Sequence, residues 1–266
     1  MFDINAKLGA WPYRPVKGLD GLLKGMDRYG IDRAVVSSLD AVHFLNPQDG
    51  NEALAELAAL HRDRLVPFAV IRPNFALFEQ DLVRCLDGYE MKGVVLYPNY
   101  HEFSLLDPSL GPLVLEAQRR RAPVCVQTGL EDVRRQFRSY KTPDVEPREI
   151  GEFARAYPDT IVIALGLKFG QPELMGEPLP RNLYFDTSNY ESMETLETAV
   201  PRFGADKILF GTNFPLFNQL ANVDKLRTAA ISADDRLSIA HENAARIVDT
   251  RDPKSKIQNR PAWRFT

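Results

Sequence analysis

The feature that most narrows the folds open to this chain is a repeated alternation of short apolar runs with longer segments whose apolar residues recur at helical spacing. The clearest run is VPFAVI, Val66 to Ile71, closed by Arg72, Pro73 and Asn74. Its consecutive apolar positions predict burial on both faces, the pattern of a parallel strand between an interior and a helical layer. Similar runs are Phe2 to Leu8, Arg33 to Ser38 (RAVVSS), Gly93 to Tyr97 (GVVLY), Pro123 to Gln127 (PVCVQ), Thr160 to Leu165 (TIVIAL), Asn182 to Asp186 (NLYFD) and Lys207 to Gly211 (KILFG). Helical spacing occupies most of the intervals: Leu19 to Tyr29, Asn51 to His61, Phe78 to Leu86, Gly111 to Arg121, Glu146 to Tyr157, Met193 to Phe203 and Asp234 to Ile247. In the first of these Leu19, Leu22, Leu23 and Met26 share one face, and Gly30 stops the helix. Only Lys168 to Arg181 departs, because Gly170, Pro172, Gly176, Pro178 and Pro180 predict a short or broken helix there.

Eight strands separated by helices predict an α/β fold, a single (β/α)8 TIM barrel over residues 1–248, with a C-terminal extension over 249–266. A doubly wound open sheet competes, but it would more usually carry a glycine-rich loop after its first strand, and LGAWPY is not one. The terminal stretch RDPKSKIQNRPAWRFT is basic and is expected to pack Trp263 and Phe265 on this subunit or a neighbouring one, so a homo-oligomer is an open expectation. With 44% hydrophobic residues in a chain of 266, the core needs no disulfide or metal to close it. The net charge of -3 supplies no broad basic field, so nucleic acid and membrane are not expected partners and a small-molecule substrate is. Two isolated cysteines, Cys85 and Cys125, and the lack of a leader-like or spanning apolar stretch suit a cytoplasmic protein with free thiols.

In such a barrel reactive side chains stand at the carboxyl ends of the strands. Read in order, these ends are Asn5 and Lys7, Ser38 and Asp40, Arg72 and Asn74, Tyr97 and Asn99, Gln127 and Thr128, the apolar Leu165, Asp186 with Ser188 and Asn189, and Thr212 with Asn213. Asn5 and Lys7 are two apart on a strand and leave on the same face. The set lacks histidine and glutamate, so it argues against a tightly bound catalytic metal, and no cofactor is expected.

The wording of the chain resembles the amidohydrolase-related TIM barrels of the amidohydrolase 2 type, a group of metal-dependent hydrolases, lactonases and non-oxidative decarboxylases. DINAKLG is similar to that family's opening Asp-x-His-x-His-x-Gly, GIDRAVV to its second strand, and MKGVVLYP with LLDPSLGPLVLEAQRRRAPVCVQTG to its long middle signature. NLYFDTSN, DKILFGTNFP and ENAARI resemble its closing segments, in order. The resemblance spans Phe2 to about Val248 and implies the same barrel. It also exposes the departures. Asn5 and Lys7 stand where the first-strand histidines would be, Gln127 where the fifth-strand histidine would be, Leu165 or Leu167 at the sixth, and Asn213 in place of the last-strand aspartate. The resemblance therefore implies a barrel that lost its metal ligands together and kept polar strand ends for another use.

Each candidate has a chemical and a structural reading. Lys7 could act as a general base, a Schiff-base nucleophile or an electrophile, or it could fill a vacated charge by pairing with Asp186. Asp186 could orient or move a proton, or cap backbone amides. Asn5, Gln127 and Asn213 could bind a carboxylate or oxyanion, or satisfy one another. Arg72 could grip a carboxylate or form a rim salt bridge, and Tyr97 could donate a proton or be a wall residue. His43 and His101, in loops after the second and fourth strands, are acid–base candidates or surface residues, and Trp11 could wall a ligand or pack on neighbouring loops. The expected activity is metal-independent hydrolysis of a lactone, ester or amide-like bond in a small carboxylated or cyclic metabolite. Decarboxylation or isomerisation on the same barrel, and a non-catalytic binding role, are the alternatives.

Overall fold

The computed structural model describes residues 1–132, 134–137, 141–192 and 194–249. The expected packing of Trp263 and Phe265 lies outside the described residues. Eight parallel strands follow one another around a single sheet: β1 (Phe2–Leu8), β2 (Arg33–Ser38), β3 (Leu65–Val70), β4 (Gly93–Leu96), β5 (Val124–Gln127), β6 (Val162–Leu165), β7 (Leu183–Asp186) and β8 (Ile208–Leu209). The chain after β8 returns to the first strand, with Ile4 N–H donating to Phe210 O at 2.9 Å and Lys7 N–H to Phe214 O at 2.8 Å. The sheet is thereby rolled into a (β/α)8 barrel, as the alternating pattern predicts.

Two apolar layers explain why the strands read as continuous apolar runs. One lies inside the barrel and is built from Phe2, Ile4, Val35, Val66, Phe68, Val70, Val95, Ile163, Leu165 and Leu209, among others. The other lies between strands and helices and takes the alternate positions, including Ala34, Val36, Ala69, Val94, Val126, Ala164 and Phe185. β1 is the exception that matters for function. Its pairing with β2 shifts register between Asp3 and Ala6. Below this bulge Phe2 and Ile4 belong to the interior, and above it Ala6 and Leu8 belong to the outer layer. The bulge thus re-aims Asn5 and Lys7 toward the mouth of the barrel, a common use of such an irregularity.

The helices form where the apolar spacing places them, although several start or stop a few residues away from expectation. The stretch beginning at Phe78 is an α-helix to Val83 that widens into a π turn over Arg84–Gly88. Helix Pro47–Ala59 starts before the expected Asn51 because Asn46 caps it, accepting from Gln48 N–H at 3.2 Å. The crossover between β6 and β7 holds only a 3-10 turn at Pro172–Met175, in keeping with its glycines and prolines. Helix Gln219–Thr228 had no counterpart in the apolar pattern. Its buried face carries Gln219 and Asn222 beside Val223 and Leu226, which breaks the spacing.

Buried polar side chains hold strand ends in register. Asn51, on helix Pro47–Ala59, donates to Val70 O at 2.8 Å and accepts from Val70 N–H at 2.9 Å, closing both backbone groups at the end of β3. Asn51→Ala would leave both unpaired in the core, and urea unfolding is expected to show a loss of about 2 kcal/mol.

Candidate active site

The centre of the barrel mouth is a connected set of polar groups that are almost wholly shielded from solvent. Lys7 Nζ donates to Asn213 Oδ1 at 2.8 Å and to Asn5 Oδ1. The amide nitrogen of Asn5 in turn donates to Asp186 Oδ2 at 2.7 Å and to Ser188 Oγ at 3.2 Å. The other carboxylate oxygen of Asp186 accepts the N–H of Gly166 at 2.7 Å. Lys7 and Asp186, whose direct pairing is one of the two readings of the sequence, are instead joined through Asn5, whose carbonyl faces the ammonium and whose amide faces the carboxylate. The reason is geometric: the β1 bulge puts Asn5 into the space between them.

Backbone geometry fixes the partners of this set. Asn213 adopts a left-handed conformation, φ 50°, which asparagine tolerates better than most residues and which turns its amide back toward Lys7. Gly166 has φ 77°, and a Cβ there would stand 2.6 Å from the Gln127 amide nitrogen, so the close approach of the β5, β6 and β7 ends depends on glycine. Asp3, missed in the sequence, anchors the arrangement from behind. It accepts from Asn5 N–H at 2.9 Å, Thr212 N–H at 3.0 Å and the Thr212 hydroxyl at 2.5 Å, fixing β1 to the turn that presents Asn213. The available signal was an ionisable residue just ahead of Asn5 and Lys7 in an otherwise apolar strand.

Burial sets the electrostatics. Desolvation pushes Lys7 down to about 8, partly offset by the charge of Asp186. The same desolvation raises Asp186 despite the hydrogen bonds from Gly166, Asn5 and Ser188, and pushes Asp3 up to about 6. The Cys125 thiol, buried close enough to feel both Lys7 and Asp186, is raised further and stays protonated at neutral pH.

The remaining candidates form a rim rather than part of this network. The Gln127 amide nitrogen donates to Gly129 O at 2.8 Å rather than to the other amides, and its carbonyl oxygen has no hydrogen-bond partner among the described residues. Tyr97 is wholly buried and shares a 3.1 Å hydrogen bond with Ser37, while burial raises its phenol well above the ordinary range. That placement fits the wall reading and not a proton donor. His101, expected in a loop, ends the short helix Pro98–His101, is buried, and sits 3.1 Å from Val42 O. Desolvation lowers it to about 4, so it stays neutral near pH 7. Arg72 is half-buried and donates to Asn74 Oδ1 at 3.0 Å, with no salt bridge among the described residues.

Trp11 and His43 lie together, ring centroids 5.1 Å apart, with Tyr13 and Tyr100 against His43. The Trp11 indole N–H and His43 Nε2 have no hydrogen-bond partner among the described residues. Two further elements had no sequence signal. Arg14 donates twice to Glu131, at 2.6 and 3.1 Å, and the Leu130 carbonyl accepts from the Asn213 amide at 3.2 Å. Leu130 is fully buried among the interior residues, so the loop after β5 covers the Lys7 network.

The donor chemistry of this centre does not fit a divalent ion. Its groups are one ammonium, two side-chain amides, one hydroxyl and one carboxylate already saturated by donors, and among the described residues no group of three or more His, Cys, Asp or Glu could hold a metal. Nor does any helix among the described residues have the length and apolarity to cross a membrane.

A (β/α)8 barrel that gathers a buried lysine, a carboxylate and amides at its strand ends has the architecture of an enzyme. The chain belongs to the amidohydrolase family, whose model matches residues 3–250. A gamma-resorcylate decarboxylase of Rhizobium radiobacter is 25% identical over 291 residues, covering 86% of each chain. Among solved structures, a 2,6-dihydroxybenzoate decarboxylase in complex with 2,6-dihydroxybenzoate has a TM-score of 0.72 at 20% identity, over 93% of this chain and 97% of that one. A dihydroxybenzoic acid decarboxylase from Polaromonas, with bound manganese and 2-nitroresorcinol, has a TM-score of 0.71 at 18% identity, over 93% and 96%. These structural likenesses show the fold.

Proposed function

We propose that this protein is a metal-independent decarboxylase acting on a small carboxylic acid that bears an oxygen able to accept the electron pair left by departing CO2. The observation that carries the reading is Lys7, a buried cation held between the Asn5 and Asn213 oxygens at the strand ends where the family resemblance places metal ligands. The named relatives favour this reading over hydrolysis. The geometry supports it as well. Asp186 is a poor base for the water that hydrolysis would need, because its carboxylate oxygens are taken up by Gly166, Asn5 and Ser188.

In the reaction the bond between the substrate carbon and its carboxylate breaks, and the pair moves onto the conjugated oxygen, where Lys7 stabilises it. Asp186 keeps Asn5 oriented so that its carbonyl stays on Lys7. A proton then replaces CO2 on carbon. We assign this proton to His43, whose Nε2, beside Trp11, has no hydrogen-bond partner among the described residues.

The test is turnover of hydroxybenzoates and oxo acids in water labelled with oxygen-18. CO2 release, with no label entering the organic product except at a ketone oxygen, is the expected result. Labelled product without CO2 would restore the hydrolase alternative. Activity is also expected to survive prolonged dialysis against EDTA, and its loss with recovery on manganese would end the metal-independent mechanism.

A further inference from the structure

The cradle around Lys7 accommodates a neutral amine as well as an ammonium. Its two side-chain acceptors, Asn5 Oδ1 and Asn213 Oδ1, equal in number the hydrogens of an uncharged NH2 group, and the third tetrahedral position then holds a lone pair. Among the described residues no carboxylate is bonded to the nitrogen. Asp186, the charge that would lock it as an ion pair, is held one amide away by Asn5. The side chain is completely buried in a barrel interior that disfavours charge, and its pKa near 8 leaves roughly a tenth of it as free amine at pH 7. Buried lysines with these properties are suited to nucleophilic attack on carbonyl groups.

We propose that Lys7 is a covalent catalyst that forms an imine with a 3-oxo carboxylic acid. The inference rests on the decarboxylase reading and narrows its substrate to an acid whose ketone lies β to the carboxylate; for that substrate the imine nitrogen takes the electron pair in place of the conjugated oxygen. The amine adds to the ketone carbon, and loss of one water gives a protonated imine. The bond to the carboxylate then breaks, CO2 leaves, and the pair forms an enamine while the nitrogen becomes neutral. A proton added to the former carboxylate-bearing carbon restores the protonated imine. The same quantity of water, one molecule, returns to release ketone and free Lys7. The net change is oxo-acid anion plus one proton to ketone plus CO2, with no oxidant or reductant required.

The full chain is incubated with acetoacetate, oxaloacetate or 2-oxocyclohexanecarboxylate, reduced with sodium borohydride, digested and mapped by mass spectrometry. The expected result is an adduct on the peptide carrying Lys7. Its added mass is that of the oxo acid less one oxygen atom, or that value less CO2 when reduction follows decarboxylation. Absence of a Lys7 adduct with all three probes, or adducts confined to other lysines, would overturn the proposal. CO2 release without a Lys7 adduct sinks covalent catalysis and leaves the decarboxylase reading standing. A Lys7 adduct without CO2 release upholds the imine while that reading falls. Lys7→Arg supplies a second arm, since it keeps the positive charge but cannot form the imine. Complete loss of adduct and turnover in a folded variant is expected, and retained CO2 release would count against the proposal. The borohydride result on the unaltered chain stands even if that variant does not fold.

Discussion

Lys7→Met is expected to remove CO2 release, by at least about 10³-fold in kcat/KM, while the barrel stays folded. Methionine has nearly the length of lysine and suits an apolar interior, so packing is conserved. Removing the amine does leave the Asn5 and Asn213 oxygens without their donor, at a cost of about 1 to 3 kcal/mol each if neither finds a new partner. Against this stands the relief of a desolvated charge. Because burial lowers Lys7 from 10.5 to about 8, the unfolded chain binds more protons than the folded one between those values. The unfolding free energy of the unaltered protein therefore rises with pH across that window, by about 3 kcal/mol from this group alone. Lys225, half-buried and also lowered to about 8, adds a slope of the same sign. The difference between the unaltered chain and Lys7→Met, measured by urea unfolding at pH 7 and pH 10.5, isolates Lys7. Equal pH slopes in the two proteins would mean that Lys7 is not desolvated as described.

The second large effect is expected for Asp186→Asn. The carboxylate receives donors on both oxygens, from Gly166 N–H and from Asn5 and Ser188. An asparagine accepts with one oxygen only and turns its NH2 toward another donor, whichever way it is placed. A loss of about 3 kcal/mol in stability follows. A fall of roughly 10²-fold in rate follows too, because Asn5 loses the partner that orients it on Lys7. Asp186 also supports the protonated form of Lys7 across the mouth, so without it Lys7 titrates lower still. If the free amine is the reactive species, the acidic limb of kcat/KM moves to lower pH in this variant. An unchanged pH profile, with a folded protein, would separate Asp186 from the chemistry.

The barrel was legible because its strands are buried on both faces, and a run such as Val66 to Ile71 has few other meanings. The site was legible at the level of strand ends, and Asn5, Lys7, Asp186 and Asn213 do meet. Their connectivity was not. A one-residue irregularity in β1 decides whether Lys7 meets a carboxylate or an amide, and no spacing rule announces it. Arg14 and Glu131 were invisible for a different reason: they lie 117 residues apart in loops without periodicity, and only the closed barrel brings them together. Helix Gln219–Thr228 escaped because its hidden face is partly polar.

The loop after β5 already occupies hydrogen-bonding capacity that an incoming molecule would use, through the Leu130 carbonyl on Asn213 and the Gly129 carbonyl on Gln127. Entry is therefore a competition with the protein's own backbone. A ligand that bonds to Asn213 or Gln127 displaces one of these carbonyls, next to the Arg14–Glu131 pair that ties this loop to the one after β1. Observed affinity is then the intrinsic value less the cost of the protein's own hydrogen bonds that the ligand displaces.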